Sequence, residues 1–548
     1  MNRNQNSRFY MNPVDLNIGR SRFKMPHEIK TTFSVGEIIP FDVQEVLPGD
    51  TFQVKTSKVV RMQPLVSSPM DNLFLDTYYF FVPNRLVWSH WKEFMGENTD
   101  SAWIPQTTYT VPTLSFNGGA RPGSIADYMG IPTKINDQRY VDVSALPFRA
   151  YAMICNEWFR DENLRNYMHI DIDDTNRNGF GNRFVSNQTE ETYRDEVTAP
   201  ALGGAPYIAC KTHDYFTSAL PGPQKGPDVS ILGSGRNEVY LGQPRFTNTG
   251  WTPDDYHLHQ PVVTTKSGDT YTNHNVNFVG VNDPILLNNF FVDFPDVSIN
   301  ALRLAFQIQK LYEKEARAGS RYVEILKGHF GVTAPDASLQ RPQYLGGSRK
   351  YINVNQVIQT SESGTTPQGN IAGYSLTSDT NNDFIQSFTE HGFIIGIMVA
   401  RYDHTYQQGL NRMWSRKNKL DFYFPVLANI GEQPILNKEI YADLPQTSQK
   451  EVFGYQEAWA DYRYRPNIVT GEMRSNVTNS LDSWHFADDY SSLPLLGDSW
   501  IKEDKSNIDR VLAVQSSVSN QLFADILIDC VATRPMPLYS IPGLIDHH

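Results

Sequence analysis

The sequence is poor in cysteine, in long apolar runs and in positive charge, and each shortage excludes a class of protein. Its three cysteines, Cys155, Cys210 and Cys530, are isolated from one another, which argues against a disulfide framework or a zinc knuckle and favours a reducing site of synthesis. No run of about eighteen apolar residues occurs, and no signal peptide is recognisable, so we expect a soluble protein without membrane insertion. The net charge is −12, so any contact with nucleic acid must come from local basic patches.

Catalytic motifs are also missing. The sequence contains no GxSxG elbow, no GxxxxGK[ST] phosphate loop, no HExxH and no GxGxxG after a strand. The acidic pairs Asp488-Asp489 and Asp254-Asp255 lie in polar segments that are typical of solvated loops. We therefore expect no catalytic residue and no cofactor. A carbohydrate-active β-sandwich enzyme or a lectin-like binding protein stays open as an alternative, and a buried carboxylate pair beside an aromatic cleft would distinguish the enzyme.

Abundant Asn, Thr, Tyr, Phe, Gly and Pro indicate many strands joined by long ordered loops. Two alternating segments, 31–46 and 51–66, flank a turn at Pro48-Gly49-Asp50 and predict two strands. The aromatic and branched run Leu73 to Val82 predicts a third strand that is buried on both faces. Three strands with tight turns at this spacing predict the start of a β-sandwich.

Helical patterns interrupt the strands at three places. Pro83 is placed to begin a helix that ends at Gly96, and a second helix is predicted from about Pro147 to Phe159. Cys155 lies on the apolar face of the second helix, where we expect it to fill the core and not to act as a nucleophile. Ser298 is a good N-cap for a third helix, which ends at Gly319.

Four more strands are predicted after the third helix: Lys350 to Gln359, Gly392 to Arg401, Leu420 to Phe424, and Leu522 to Ala532. Together the strands suffice for two packed sheets. The predicted fold is therefore mainly β, an eight-stranded antiparallel jelly roll (β-sandwich) with long loop insertions containing a few helices.

The chain divides by composition into four parts. Residues 1–30 form a basic N-terminal arm, which is expected either to contact nucleic acid or a neighbouring subunit or to be a solvated terminus. Residues 31–232 and 296–548 are the two parts of the jelly roll, and 233–295, rich in Gly, Asn, Thr and Pro, is a predicted surface insertion. Asp255, His257 and His259 in this insertion resemble alternating metal ligands, but surface histidines are the ordinary interpretation.

One segment resembles a calcium loop. Asp174, Asn176, Asn178 and Gly179 match the first half of an EF-hand motif, but its twelfth position is Val185 in place of a bidentate Glu. We therefore favour an Asx-rich turn over a calcium site and predict no metal.

A basic and aromatic constellation is the one candidate binding site with a physical rationale. Its residues are Arg412, Arg416, Lys417, Lys419, Tyr462, Arg463, Tyr464 and Arg465. On a strand, the alternation of the last four would place two arginines on one face and two tyrosines on the other. Arginines bind phosphates and tyrosines stack on exposed bases without reading sequence. The alternative is that these arginines pair with Asp or Glu across subunit interfaces.

Several segments resemble the major capsid proteins of microviruses, small single-stranded-DNA phages, and of their gokushovirus branch in particular. They are 64–91, HDYFTSALPGPQKGPDVS at 213–230, 302–332, RMWSRKNKLDFYFPVLANIGEQ at 412–433, and FGYQEAWADYRYRPNIVTGEMRS at 453–475. The resemblance implies a jelly-roll subunit that self-assembles, through three-fold and five-fold contacts, into a T=1 icosahedral shell around circular single-stranded DNA. It also implies a small basic DNA-packaging protein as a partner, assembly in the host bacterial cytoplasm, and a virion location.

The resemblance gives the insertion a role as well. In gokushovirus capsids such an insertion forms protrusions at the three-fold axes and is thought to engage a host surface receptor. The candidate residues for packing among copies or host contact are Tyr240, Phe246, Trp251, Tyr256 and Tyr271.

Overall fold

A computed structural model describes residues 19–97, 108–136, 139–178, 203–226, 299–319, 321–362, 364, 367–369 and 371–539, and the backbone of six short strands between 183 and 293. The chain forms two compact units: one is Gly226–Tyr312, and the other combines the residues before and after it.

The described strands, in chain order, are β1 (Ser21–Lys24), β2 (His27–Phe33), β3 (Glu37–Val46), β4 (Thr51–Met62), β5 (Leu73–Pro83), β6 (Thr113–Asn117), β7 (Tyr140–Ser144), β8 (Arg177–Asn178), β9 (Arg183–Val185), β10 (Tyr193–Asp195), β11 (Tyr207–Ile208), β12 (Arg236–Glu238), β13 (Val262–Ser267), β14 (Thr270–Asn275), β15 (Phe291–Asp293), β16 (Gln343–Tyr351), β17 (Val354–Ile358), β18 (Ile371–Ser375), β19 (Thr377–Ser387), β20 (Gly392–Tyr402), β21 (Thr405–Tyr406), β22 (Glu432–Leu436), β23 (Val452–Glu457), β24 (Asn467–Ile468) and β25 (Leu522–Arg534). The described α-helices are α1 (Asn84–Val87), α2 (Trp91–Phe94), α3 (Ile125–Tyr128), α4 (Leu146–Ile154), α5 (Ile299–Ala318), α6 (Tyr322–Phe330), α7 (Asn437–Ile440), α8 (Asp498–Ile501) and α9 (Ser506–Asp509).

Two antiparallel five-stranded sheets dominate the larger unit. Sheet A has the order β1-β25-β4-β19, with β2 also pairing with β25, and sheet B has the order β11-β3-β20-β5-β16. Along the chain, β2, β3, β4, β5, β16, β19, β20 and β25 fall in sheets A, B, A, B, B, A, B and A. This alternation matches the strand order expected of an eight-stranded jelly roll. The prediction of a mainly β fold is confirmed.

β5 and β20 are apolar at most positions because sheet B is covered on both faces. Tyr79 and Phe81 of β5 pack into the core cluster that also contains residues of sheet A. Their neighbours Phe80 and Val82 point to the opposite face, into a second cluster that includes Tyr151 of α4. Successive strand residues alternate between faces, so a strand with a core on each side is apolar at nearly every position, and the buried Asp76 of β5 is paired with Arg349 and Arg401. The prediction that this strand is buried on both faces is confirmed.

The second predicted helix is confirmed as α4, which continues as a π-helical turn from Cys155 to Phe159. The Tyr151 hydroxyl donates to the carbonyl oxygen of Ile38 over 2.7 Å and ties this helix to sheet B. Cys155 is fully buried beside it. The thiol therefore fills the core, as predicted.

The boundary of the N-terminal arm was placed too late. β1 and β2 pair along β25, with Ile29 opposite Ile526, so residues 21–30 belong to sheet A. The sequence of β2, HEIKTTF, alternates between half-buried and exposed positions, which places Lys30 outward and Ile29 against the core. The exposed basic residues of these strands made the segment look like a basic N-terminal arm in the sequence. Residues 1–18 of the predicted arm lie outside the described residues.

Three local predictions were wrong. Pro83 is the last residue of β5, and the predicted helix is two single turns, α1 and α2, because Trp88 adopts an extended conformation between them. Leu420 to Phe424 is not a strand, since a 3-10 turn occupies Lys419–Asp421. The segment predicted as one strand from Lys350 to Gln359 is the end of β16 followed by β17.

Across the described ranges, no helix has both the length and the apolar character needed to cross a bilayer.

Candidate nucleic-acid interface

The basic and aromatic candidates lie on two loop segments, 411–424 and 458–466, on either side of the β22–β23 hairpin. The first segment has little regular structure and is held by side-chain caps. Oδ1 of Asn411 accepts a hydrogen bond of 3.0 Å from the backbone N–H of Met413. Oδ2 of Asp421 accepts 2.7 Å bonds from the backbone N–H groups of Lys417 and Asn418, which lower the pKa of that carboxyl. These contacts fix the path of the loop.

Arg416 ties the two segments together. Its guanidinium forms an ion pair with Asp461, and the two side chains are 10% and 7% exposed. The same guanidinium lies 4.2 Å from the ring centroid of Tyr462. A charged pair with so little exposure stabilises the loop only while both partners are present. The guanidinium of Arg416 is therefore engaged within the chain by Asp461.

Arg412 and Arg463 are also engaged within the subunit. Nη1 of Arg412 donates to the carbonyl oxygen of Pro434 over 3.0 Å. Nη1 of Arg463 lies 2.8 Å from Oε2 of Glu457, and its Nη2 donates to the carbonyl oxygen of Ala458. These partners belong to the same chain, whereas the alternative interpretation had expected acidic partners across a subunit interface.

Three predicted cations remain accessible. Lys417, Lys419 and Arg465 are exposed, and no carboxylate in the described part of the chain pairs with them. Nζ of Lys419 lies 5.6 Å from the ring centroid of Phe424. The predicted tyrosines Tyr462 and Tyr464 are 51% and 50% exposed.

The strand expected for the second segment is absent. A 3-10 turn occupies Ala460–Tyr462 and follows Trp459, whose φ is +64°. The backbone N–H of Trp459 donates to Oε1 of Gln433 over 3.0 Å, and its indole N–H donates to the carbonyl oxygen of Leu427 over 2.8 Å. These long-range contacts hold the left-handed turn, so the arginines and tyrosines do not sort onto two faces.

Sequence reasoning missed three exposed rings on the same loops. Trp414, Phe422 and Tyr423 are 71%, 49% and 44% exposed. The run Phe422-Tyr423-Phe424 was interpreted as part of a strand, although its neighbours Lys417 and Lys419 already indicated a solvated loop. We define the basic aromatic surface as Trp414, Lys417, Lys419, Phe422, Tyr423, Tyr462, Tyr464 and Arg465.

The calcium candidates form hydrogen bonds with the protein. Asp174 accepts from the indole N–H of Trp88 over 2.6 Å and lies 2.9 Å from Nδ1 of His90. Oδ1 of Asn176 accepts from the backbone N–H of Thr113 over 2.8 Å, and Asn178 lies in β8. The neighbouring Asp173 accepts from the backbone N–H of Thr175, as in an Asx turn. Within the described residues, no group of three His, Cys, Asp or Glu is arranged to hold a metal ion.

The acidic pair at 488–489 was interpreted as a solvated loop, and this is wrong for Asp488. Its carboxylate is buried, with Nδ1 of His404 at 3.1 Å and Nζ of Lys211 at 3.5 Å. Glu503 lies on the other side of the imidazole, 3.0 Å from Nε2. The two carboxylates are neutralised by two cations in the interior, so this cluster lacks the open cleft that a hydrolytic pair requires.

The insertion candidates cannot be placed. Tyr240, Phe246, Trp251 and Tyr256, together with Asp255, His257 and His259, lie outside the described residues. Tyr271 belongs to β14, which pairs with β13 as a two-stranded sheet in the smaller unit.

The fold and the surface together define a class of protein. They describe a β-sandwich with well-ordered loops and an exposed basic and aromatic surface, as expected of a structural or binding protein.

Comparison with known proteins identifies the family. Residues 13–544 match the family described as "Capsid protein (F protein)", and the chain belongs to this family. It is 42% identical over 545 residues to capsid protein VP1 of Spiroplasma virus 4, covering 96% of each chain. It is 39% identical over 589 residues to capsid protein VP1 of Chlamydia phage 1, covering 96% of each chain. It is 38% identical over 540 residues to capsid protein VP1 of Bdellovibrio phage phiMH2K, covering 96% of this chain and 95% of the relative.

The resemblance to microvirus capsid proteins is thereby confirmed. A member of this family has a structural role: it assembles with other copies into a shell and is a component of the virion.

Proposed function

We propose that this protein is the coat subunit of a small T=1 icosahedral shell that encloses a circular single-stranded DNA genome. The observation that carries the proposal is the capsid-family match over residues 13–544. The strand order of sheets A and B supports a jelly roll, a fold used by viral shells. Copies meet at three-fold and five-fold contacts, and the subunit has no turnover of its own.

The basic aromatic surface is proposed to contact the enclosed DNA. Lys417, Lys419 and Arg465 supply accessible positive charge for phosphates. Trp414, Tyr462 and Tyr464 are at least half exposed and supply ring faces on which bases stack without sequence preference. A coat that surrounds a genome of arbitrary sequence needs this kind of contact. Arg412, Arg416 and Arg463 act in this scheme by holding the loops in place.

The exposed cations can be tested separately from the arginines that form contacts within the chain. Replacing Lys417, Lys419 and Arg465 by Gln removes three accessible charges and should weaken binding of a labelled oligothymidylate. The salt slope of log K should flatten by about 0.7 for each phosphate that is no longer neutralised. The free energy of unfolding should change little, because substitutions of exposed residues usually change it by under about 0.5 kcal/mol.

The matched control is Arg416→Gln. It also removes one positive charge, but it leaves Asp461 buried without its partner. This variant should lower the free energy of unfolding by about 3–5 kcal/mol. An unchanged affinity and salt slope in the triple variant would contradict the proposed DNA contact.

Further partners are proposed for the assembled particle. We propose that the segment 233–295 projects from the shell at the three-fold axes and contacts a host surface receptor. We also propose that a small basic protein assists DNA packaging and that assembly takes place in the cytoplasm of the host bacterium. The match to phage capsid proteins along nearly the whole chain supports these assignments.

A further inference from the structure

β2 lies at an edge of sheet A, and half of its backbone groups point away from the sheet. The backbone N–H of Met25 donates to the carbonyl oxygen of Cys530 over 2.8 Å, and the register against β25 is the same in β1 and β2. Bonded positions alternate along an antiparallel ladder, so the odd-numbered residues of β2 bond to β25. The backbone N–H and C=O groups of Glu28, Lys30 and Thr32 therefore point outward.

Nearly all of these outward groups lack a partner within the chain. The carbonyl oxygen of Thr32 accepts from the hydroxyl of Tyr128 over 2.8 Å. Within the described residues, the N–H groups of Glu28, Lys30 and Thr32 and the carbonyl oxygens of Glu28 and Lys30 form no hydrogen bond. A free row of donors and acceptors at a sheet edge is a template for pairing with a further strand.

A groove of about 1130 Å³ lies beside this edge. It is lined by residues 29–32 of β2, by α3 and the loop before it, and by residues from 204–206 and 518–525. Its charged lining residues are three basic and three acidic: Lys30, Arg61, Arg121, Glu37, Asp127 and Asp525. This balance does not favour a polyanion such as DNA, and the space beside a free strand edge suits a polypeptide strand.

The charges of β2 select one register for pairing with a second copy of itself. Nζ of Lys30 lies 2.5 Å from Oε1 of Glu28 within one copy, and both side chains are at least half exposed. If two copies pair antiparallel with Ile29 at the centre, Glu28 of each copy lies opposite Lys30 of the other. A shift of the centre by one residue places Glu28 opposite Glu28, or Lys30 opposite Lys30. Opposite charges across a ladder are favourable and like charges are not.

The same register accommodates the residue that would otherwise obstruct pairing. It places Pro26 opposite Thr32 of the second copy. Pro26 has no N–H to donate, and the carbonyl oxygen of Thr32 already accepts from Tyr128. The N–H of Thr32 can donate to the carbonyl oxygen of Pro26, and each Glu28–Lys30 pair can exchange two backbone hydrogen bonds. Pro and Lys protect sheet edges from foreign strands, so this edge is selective for its own copy.

We propose that β2 of one copy pairs with β2 of a second copy across a two-fold axis, so that sheet A continues from one subunit into the next. A contact that uses the same surface on both partners is what a two-fold axis requires, and an icosahedral shell has two-fold axes. The place of this contact in the shell rests on the proposed function. The pairing itself is a property of the subunit.

Cysteine substitutions in the full-length protein test the register. Glu28→Cys and Lys30→Cys chains, expressed together, should form a disulfide-linked dimer on mild oxidation. Residues bonded across an antiparallel ladder have Cα atoms about 5.5 Å apart, within the range of about 4.4–6.8 Å that disulfides need. Either variant expressed alone should give little dimer, because identical positions are offset along the ladder. The native thiols are buried and should not contribute.

The matched control for these substitutions is on β4. Gln53→Cys and Lys55→Cys chains, expressed together, carry exposed thiols at the same spacing. β4 has β25 on one side and β19 on the other, so two copies of β4 cannot lie side by side. This mixture should therefore give no linked dimer.

Two variants of Lys30 test whether the backbone takes part. Lys30→Gln and Lys30→Pro both remove the charge, but only proline removes the outward N–H. Self-association of Lys30→Pro, measured by sedimentation velocity, should be about tenfold weaker than that of Lys30→Gln, because each copy loses one backbone donor. Thermal unfolding of the two variants should be similar, because this N–H has no partner within one chain. Equal self-association would overturn the proposal.

Electron microscopy of the cross-linked samples separates this proposal from the proposed function. Closed particles without a linked dimer in the Glu28→Cys and Lys30→Cys mixture would overturn the pairing and leave the proposed function intact. As much dimer from Glu28→Cys alone as from the mixture would also overturn it, since the register would be different. Linked dimers from the mixture alone, without closed particles, would support the pairing and contradict the proposed function.

Discussion

Nδ1 of His404 lies 3.1 Å from Oδ2 of Asp488, and the two side chains are 0% and 3% exposed. Burial lowers the pKa of His404, but the charges of Asp488 and Glu503 outweigh burial and raise this pKa from 6.5 to about 9. Burial also raises the pKa of Asp488, but His404 and Lys211 hold it well below its ordinary value. The imidazole is therefore a cation at neutral pH, and it joins β20 and β21 to the loop that precedes α8.

This pair predicts a particular pH dependence of stability. The contribution of His404 is complete below pH 6.5 and is lost as the pH rises through about 9, because its pKa is higher in the folded state. The contribution of Asp488 is present above the ordinary pKa of an aspartate and is lost as the pH falls through its lowered value. Urea unfolding should show a decrease in the free energy of unfolding of about 3 kcal/mol between pH 6.5 and 9.

Two variants show whether His404 causes that decrease. His404→Gln should lower stability at pH 6.5, because the buried carboxylates lose one of their two cations. It should also flatten the decline toward pH 9, because the group that titrates in this range is gone. His213→Gln, which changes an exposed histidine, should keep the decline. Equal slopes in the His404 variant and the unchanged protein would assign the pH dependence to another group.

The three thiols should be inert in the folded subunit. Cys155, Cys210 and Cys530 are buried, and burial raises the pKa of Cys155 to about 12 and that of Cys530 to about 11. Only the thiolate reacts with an aromatic disulfide reagent, so titration at pH 8 should find no rapidly reacting thiol before denaturation and three after it. A rapidly reacting thiol in the folded protein would show that one of these sites is open to solvent.

Replacing residues 233–295 by a short Gly-Ser linker should leave the larger unit folded, because these residues belong to a compact unit of their own, Gly226–Tyr312. Lengthening or shortening a surface loop changes closure entropy slowly, so thermal unfolding of the shortened protein should resemble that of the full chain. The particles should lack their projections and attach less well to host cells. Unfolding of the shortened protein would mean that the segment contributes strands to the sandwich core.

The sequence predicts the elements whose pattern is local and misses those whose cause is distant. β20 is predicted by the uninterrupted apolar run Phe393 to Ala400, which is typical of a strand covered on both faces. β25 is predicted by Leu522 to Ala532, where apolar residues alternate with polar ones as in a strand that is covered on one face. The turn at Trp459 depends on Gln433 and Leu427, which lie far away in sequence. No local pattern reveals such partners.

The candidate site was predicted less completely than the fold for the same reason. Composition singled out eight basic and aromatic residues, but it predicted a strand where the structure has a loop, and it could not distinguish Arg416, which pairs with Asp461, from the exposed Arg465. Asp488 was misinterpreted in the same way, as exposed although it is buried and paired. It looked like a solvated residue because its partners are distant in sequence: His404 lies between β20 and β21, and Lys211 lies in a loop.

Electron microscopy of the purified protein tests the central claim most directly, because the account makes this chain a subunit that assembles with other copies into a shell. We expect uniform, closed, roughly spherical particles with icosahedral symmetry, and three-fold projections that disappear when residues 233–295 are replaced. A protein that stays monomeric and monodisperse at high concentration, with or without single-stranded DNA, would contradict the claim.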